Sequence, residues 1–174
     1  MNEINPRNFK FCPVCGDRLK EKYLGEEQHT RLVCPNCGFI FYMNPTPAVA
    51  VILFRDEKIL LVKRKFKPKI GDWTLPAGFM EYDETSEETA IRETKEETNL
   101  DIEVKNLFAV LPGFDDSRVH VVLIIYNGEI LGGDLKPGDD ASDVRFFSLD
   151  DLPGNIAFSA HREVLEMLLE KADK

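Results

Sequence analysis

Residues 78–100 read GFMEYDETSEETAIRETKEETNL, and the placement of charge in this stretch decides how the rest of the chain is read. Glu93, Glu96 and Glu97 stand at i, i+3 and i+4. On an α-helix that spacing stacks three carboxylates on one face, about 5–6 Å apart at Cβ, where like charges destabilise the helix. A cation is therefore expected against that face, and a hard divalent metal suits oxygen ligands of this kind. Thr85 followed by Glu88 forms a capping box, so the helix should start near Ser86. Asn99 tolerates the left-handed backbone that ends a helix. Ala90, Ile91 and Thr94 form the expected inward stripe, leaving the three glutamates on another face.

The 174 residues suffice for one full domain and a small appendage. Composition is that of a globular protein, 43% apolar and 30% charged. A net charge of −9 argues against general nucleic-acid binding, which neutralises phosphates with Lys and Arg. It leaves room for a small anionic substrate, because bound metal reverses the sign of a local field. MNEINPRNFKF has no apolar core of a secretory signal, and the longest apolar runs are strand-length. The expectation is a cytoplasmic protein with no membrane partner.

Cys12, Cys15, Cys34 and Cys37 form two C-x2-C pairs separated by eighteen residues. Glycines follow at 16 and 38, where a tight turn needs positive φ. This spacing fits a four-thiolate tetrahedral Zn2+ site, better in a reducing compartment than disulfides. It resembles a zinc ribbon, with all ligand positions filled and hence structural. Residues 1–44 carry six basic and five acidic side chains, too nearly neutral for a phosphate clamp. Tyr42–Pro47, with two prolines, is a stiff connector. It sets the expected domains as 1–44 and 45–174.

After the connector, PAVAVILF (47–54) reads as a strand buried on both faces, and Ile59–Val62 as its hairpin partner. Residues 63–69 carry five positive charges in seven. Most of such a run is solvated, but Arg64 or Lys63 at the strand end are candidates to reach a substrate phosphate. Trp73 is read as core. Strands are expected at 102–110, 119–126 and 144–148, and a final amphipathic helix from Ser159 with Val164, Leu165, Leu168 and Leu169 inward. Strands alternating with helices, with hairpins, imply an α/β domain on a mixed sheet.

Gly78-x5-Glu84-x7-Arg92-Glu93-x2-Glu96-Glu97-x2-Leu100 resembles the Nudix box, the signature of Nudix hydrolases. The family pattern has an apolar residue in place of Thr94 and Gly in place of Asn99; neither departure touches a carboxylate. Together with the ribbon, the connector and Trp-Thr-Leu-Pro-Ala-Gly at 73–78, the chain is similar to the zinc-ribbon group of Nudix enzymes. The resemblance implies a Nudix α/β/α sandwich and metal-dependent hydrolysis of the pyrophosphate bond in a nucleotide diphosphate derivative. It implies that Glu93, Glu96 and Glu97, with the Gly78 carbonyl, hold Mg2+ or Mn2+, and that Arg92 pairs with Glu84 to support the site. Glu93 and Glu97 become the catalytic carboxylates. Many members add an acid from a later loop, for which Asp143 is the first choice and Asp115 or Asp116 the second.

Substrate identity is less legible. NADH pyrophosphatases of this group carry a Ser-Gln-Pro-Trp-Pro-Phe-like segment after the box, whereas residues 107–114 here read LFAVLPGF. ADP-ribose or FAD is therefore favoured over NADH. Phe66, Phe114 and Phe158 are candidates to stack an adenine. Two other functions share the motif: a nucleotide-sensing regulator using the ribbon as an interaction module, and a sanitiser of oxidised nucleoside triphosphates. Many relatives form dimers, so a homodimer is a further expectation.

Overall fold

The computed structural model describes residues 9–138 and 140–172. They fall into two compact units: residues up to Pro45 together with Ser117–Val119, and the remainder.

The smaller unit is built on β1 (Lys20–Leu24), β2 (His29–Val33) and β3 (Ile40–Phe41), an antiparallel sheet in which Lys20 faces Val33 and Leu24 faces His29. Gly16 and Gly38 adopt φ of 76° and 77°, as their place behind each cysteine pair requires. Their N–H groups donate to the Cys12 and Cys34 carbonyls, closing two matching knuckles. Cys12, Leu19 and Cys34 are buried beneath Leu32, Phe39 and Phe41.

The larger unit holds β4 (Thr46–Arg55), β5 (Lys58–Arg64), β6 (Trp73–Thr74), β7 (Ala77–Phe79), α1 (Ser86–Thr98), β8 (Asp101–Gly113), β9 (Val121–Gly132), β10 (Ala141–Ser148) and α2 (Ser159–Ala172). Its sheet runs β10-β5-β4-β9-β8, with β6 on β5 and β7 on β4. β4 and β9 are parallel and the other pairs antiparallel, the mixed sheet expected. The continuous apolar run of β4 is buried on both faces. Ala48, Ala50 and Ile52 pack with Leu123, Ile125 and α2 (Val164, Leu165), while Val49, Val51 and Leu53 pack with Ala90, Leu100 and Tyr126 on the α1 side. Each such Ile or Leu contributes about 1.5–3 kcal/mol by leaving water. No helix among the described residues is long and apolar enough to cross a membrane.

Three local expectations are corrected. β8 and β9 span 101–113 and 121–132 rather than 102–110 and 119–126, and pair through three register shifts as far as Gly113↔Val121. Pro112-Gly113 looks like a turn in sequence, but β8 ends the sheet, where a proline need donate to no neighbour. Gly128 continues β9 because a Cβ there would press on Val51 and Leu53. On α1 the inward residues are Thr89, Ala90, Thr94, Glu97 and Thr98, whereas Ile91 is exposed. Glu97 follows Thr94 by three residues, so the stripe that buries Thr94 buries it too.

Candidate active site

α1 begins and ends as its sequence dictates. Thr85 Oγ1 accepts from Glu88 N (3.2 Å), and Thr85 N donates to Glu88 Oε2 (2.8 Å). Asn99 stands at φ 61°, with its N–H on the Lys95 carbonyl. Between these caps Arg92 organises one side of the helix. Its guanidinium makes a bidentate pair with Glu84 through Nε–Oε1 and Nη2–Oε2, donates from Nη2 to the Phe79 carbonyl (3.1 Å), and donates from Nη1 to Glu93 (2.7 Å) and Glu96 (3.1 Å). Arg92 thus ties the loop after β7 to the helix, and its charge holds the Glu84 carboxyl down at about 2. The expected Arg92–Glu84 pair is formed.

The three glutamates differ in environment. Glu96 is exposed. Glu93 lies against Gly78 so closely that a Cβ there would overlap its carboxylate, which explains the glycine. Burial pushes Glu93 up, against the pull of Arg92. Glu97 is 8% exposed, and its Oε2 accepts from Ala77 N (3.0 Å). Burial raises Glu97 to about 8, with the charges of Glu93 and Asp140 adding to the rise and Arg64 opposing it. Carboxyls that desolvation and mutual repulsion drive toward the protonated form are stabilised as anions by a cation. Their oxygens and the adjacent Gly78 suit a hard divalent ion rather than a soft one. The residues present therefore fit the expected metal.

Of the candidate phosphate ligands, Arg64 shares the field of Glu97 and Asp140; burial lowers its pKa and those carboxylates oppose the fall. Lys63, its neighbour on β5, points to the other face by strand alternation and places Nζ 5.6 Å from the centre of the Trp73 ring.

The later acids separate in the same way. Asp143 is engaged at both oxygens, Oδ1 by Val144 N (2.9 Å) and Oδ2 by Arg145 Nη2 (2.6 Å). Asp115 Oδ2 accepts from Ser159 N (3.0 Å) and Oγ (2.6 Å), and so caps α2. Sequence reasoning missed Asp140, whose charge acts on Glu93, Glu97 and Arg64. Residues 133–138 are laced to the C-terminal end of α1, with Lys136 N on the Thr98 carbonyl (3.1 Å), Gly138 N on that of Glu97 (3.0 Å) and Asn99 Nδ2 on that of Asp134 (2.8 Å). Asp140 is tied to the end of β5 by Lys65 N on its carbonyl (3.1 Å). Gly138 permits this lacing, since a Cβ there would overlap the Glu96 carbonyl. In sequence, Pro137-Gly138 ahead of two aspartates reads as an ordinary solvated turn.

Among the described residues, the cysteines alone bring three or more metal-ligating atoms within 4.8 Å of one another. Cys12 and Cys37 sulfurs are 3.6 Å apart and those of Cys15 and Cys34 3.4 Å, near the roughly 3.8 Å edge of a tetrahedral zinc–thiolate site. Val14 N donates to Cys12 Sγ (3.4 Å), and backbone N–H groups of Cys37 and Asn36 help lower the Cys34 thiol to about 7. Against a backbone hydrogen bond from Phe39, desolvation and the neighbouring thiols push Cys37 up to about 12, so the four sulfurs are not thiolates together unless a cation sits among them, and their spacing suits a bound metal.

The NUDIX domain model matches residues 44–168, and the model described as Nudix N-terminal matches residues 10–43. An ADP-ribose pyrophosphatase of Methanocaldococcus jannaschii is 45% identical over 126 residues, 72% of this chain and 73% of that protein. The NAD-capped RNA hydrolase NudC of Vibrio atlanticus is 34% identical over 149 residues, 84% of this chain; the chain spans only 52% of that relative's length. The crystal structure of a NUDIX hydrolase from Nitrosomonas europaea superposes with a TM-score of 0.82 at 36% identity, covering 94% of this chain and 92% of that one. The box geometry, the cysteine cluster and these likenesses agree: the chain belongs to the Nudix hydrolase family, with the family's N-terminal zinc-ribbon segment ahead of its Nudix domain.

Proposed function

We propose that the protein hydrolyses the pyrophosphate bond of a nucleotide diphosphate derivative, with ADP-ribose favoured, FAD next and NADH less so. The observation that carries this reading is the pair of partly desolvated carboxylates on α1, Glu93 against Gly78 and Glu97 on Ala77 N, with the charges of Asp140 and Arg64 acting on Glu97. The likeness to the archaeal ADP-ribose pyrophosphatase supports the substrate order. So does β8, whose residues 107–113 form a paired strand in place of the segment that marks NADH enzymes.

In this reading Glu93, Glu96 and Glu97, with the Gly78 carbonyl, hold Mg2+ or Mn2+. A divalent cation there supplies charge neutralisation of the pyrophosphate and an acidified water. Ala77 N fixes the Glu97 carboxylate, and Arg92, anchored on Glu84, sets the rotamers of Glu93 and Glu96. Arg64 offers its N–H groups to phosphoryl oxygens. Water attacks one phosphorus, the bridging P–O bond breaks, and the leaving phosphate carries away the bridging oxygen. Asp140, whose charge acts on both glutamates and whose backbone is tied to Lys65 N, takes the water proton; Asp143, occupied by Arg145, does not. The four cysteines hold structural Zn2+ in a ribbon of residues 1–44, and residues 45–174 form the catalytic domain.

Anion-exchange separation of products from ADP-ribose, FAD, NADH, nucleoside triphosphates and an NAD-capped oligoribonucleotide, each with Mg2+ or Mn2+, tests the proposal. AMP and ribose 5-phosphate from ADP-ribose are expected. Turnover of capped RNA alone would assign the NudC-like activity instead, and turnover of nothing would leave a nucleotide-sensing role.

A further inference from the structure

Arg64 is poorly restrained by its own polar contacts. Of its five N–H donors, only Nε has a partner among the described residues, the Pro68 carbonyl at 2.8 Å. Glu97, Asp140 and Asp72 act on it through their charges, yet no carboxylate oxygen approaches within ion-pair distance among the described residues. A long side chain held by one hydrogen bond keeps much of its rotamer freedom. Its guanidinium, however, lies over the Phe158 ring, with Cζ 5.1 Å from the ring centre.

Phe158 belongs to a closed chain of contacts that begins and ends at Arg64. Arg64 N donates to the Asp72 carbonyl and Gly71 N to that of Arg64. Asn155 Nδ2 donates to the Gly71 carbonyl (3.0 Å) and to Asp72 Oδ1 (3.2 Å). Trp73 N donates to the Asn155 carbonyl, and Ala157 N to that of Trp73. The next residue is Phe158, whose own carbonyl accepts from Arg162 N in α2. Its ring is tilted against His161 at 5.8 Å, and His161 is itself fixed because Nδ1 accepts from Leu75 N (3.2 Å). The ring therefore has Arg64 on one side and a buried imidazole beside it.

We propose that Phe158 is a positioning residue: its ring holds the Arg64 guanidinium so that the free N–H donors address the substrate phosphates, and it does not itself touch substrate. The inference rests on the reading of Arg64 as a phosphate ligand. A desolvated cation–π contact commonly changes binding by a few-fold to about thirtyfold.

Steady-state kinetics of the full-length chain on its best substrate form the test, with Phe158→Leu, Phe158→Tyr, Arg64→Ala and the Phe158→Leu/Arg64→Ala double variant. Phe158→Leu should raise KM about tenfold with kcat within twofold, the pattern of lost ground-state binding. Phe158→Tyr should restore the wild-type KM. In the Arg64→Ala background, Phe158→Leu should add nothing. An equal Phe158→Leu penalty with and without Arg64 would overturn the proposal, because the ring would then act on substrate or fold directly. So would a wild-type KM for Phe158→Leu while Arg64→Ala raises it. If Arg64→Ala leaves KM unchanged, the phosphate reading of Arg64 fails first, whatever Phe158 does.

Discussion

His161 offers a titration worked out from the structure alone. Its ring is buried, accepts a hydrogen bond from Leu75 N at Nδ1, and faces the charges of Arg64 and Asp115. Burial, helped by the Arg64 charge and opposed by Asp115, lowers it from 6.5 to about 4. Below pH 6.5 the unfolded chain gains a proton at this site that the folded chain refuses, so stability falls as pH drops from 6.5 toward 4. The limiting loss is about 3 kcal/mol, and between pH 7 and pH 4.5 it is about 2 kcal/mol. His161→Asn keeps an acceptor for Leu75 N and removes the titration; every other titrating group is common to both chains. Urea unfolding followed by fluorescence of Trp73, the sole tryptophan and buried in the larger unit, reads the difference. The variant should start less stable at pH 7, because it loses ring volume, and the gap should close by about 2 kcal/mol at pH 4.5. Parallel curves for the two chains over that range would refute a buried neutral imidazole.

Three further substitutions probe other parts of the account. Thr94 Oγ1 is buried without a hydrogen-bond partner among the described residues, so Thr94→Val should stabilise the larger unit by about 1 kcal/mol in urea unfolding at pH 7; a loss would show that the hydroxyl has a partner. Gly138→Ala forces a Cβ into the Glu96 carbonyl, and should cost about 1–3 kcal/mol in the same assay and lower kcat by shifting Asp140. Unchanged stability and rate would show that the loop is not laced to α1. Cys34→Ser should release the zinc that a chromophoric chelator detects in the wild type only after denaturation, and should lower the first melting transition. Retained zinc would place the metal elsewhere.

What the sequence made legible was local. Thr85 with Glu88 and Asn99 marked the ends of α1 because caps act within a turn. The cysteine pairs marked the ribbon because their spacing fixes the ligand count. The run at 47–54 marked the central strand because both its faces are apolar. The misreadings share a cause in tertiary packing. Ile91 was expected inward on hydrophobicity, yet the stripe through Ala90, Thr94 and Glu97 carries the contact. That burial turned Glu97 from a surface carboxylate into a desolvated one. Lys63 and Arg64 looked equivalent in a basic run, although strand alternation already sends them to opposite faces. Asp140 gave no signal, since its loop is placed by hydrogen bonds to segments over forty residues away in sequence, and Phe158, read as a candidate to stack an adenine, gave no sign of its contact with the distant Arg64.

The central claim is that the carboxylates at the end of α1 make a metal-dependent pyrophosphatase, and Glu97→Gln tests it most directly. Gln retains an oxygen for Ala77 N and the side-chain size, and removes only the charge. ADP-ribose hydrolysis with saturating Mg2+ should fall by about a hundredfold or more, with the melting temperature held or raised. A variant that hydrolyses ADP-ribose at the wild-type rate would contradict the account and move the metal site away from α1.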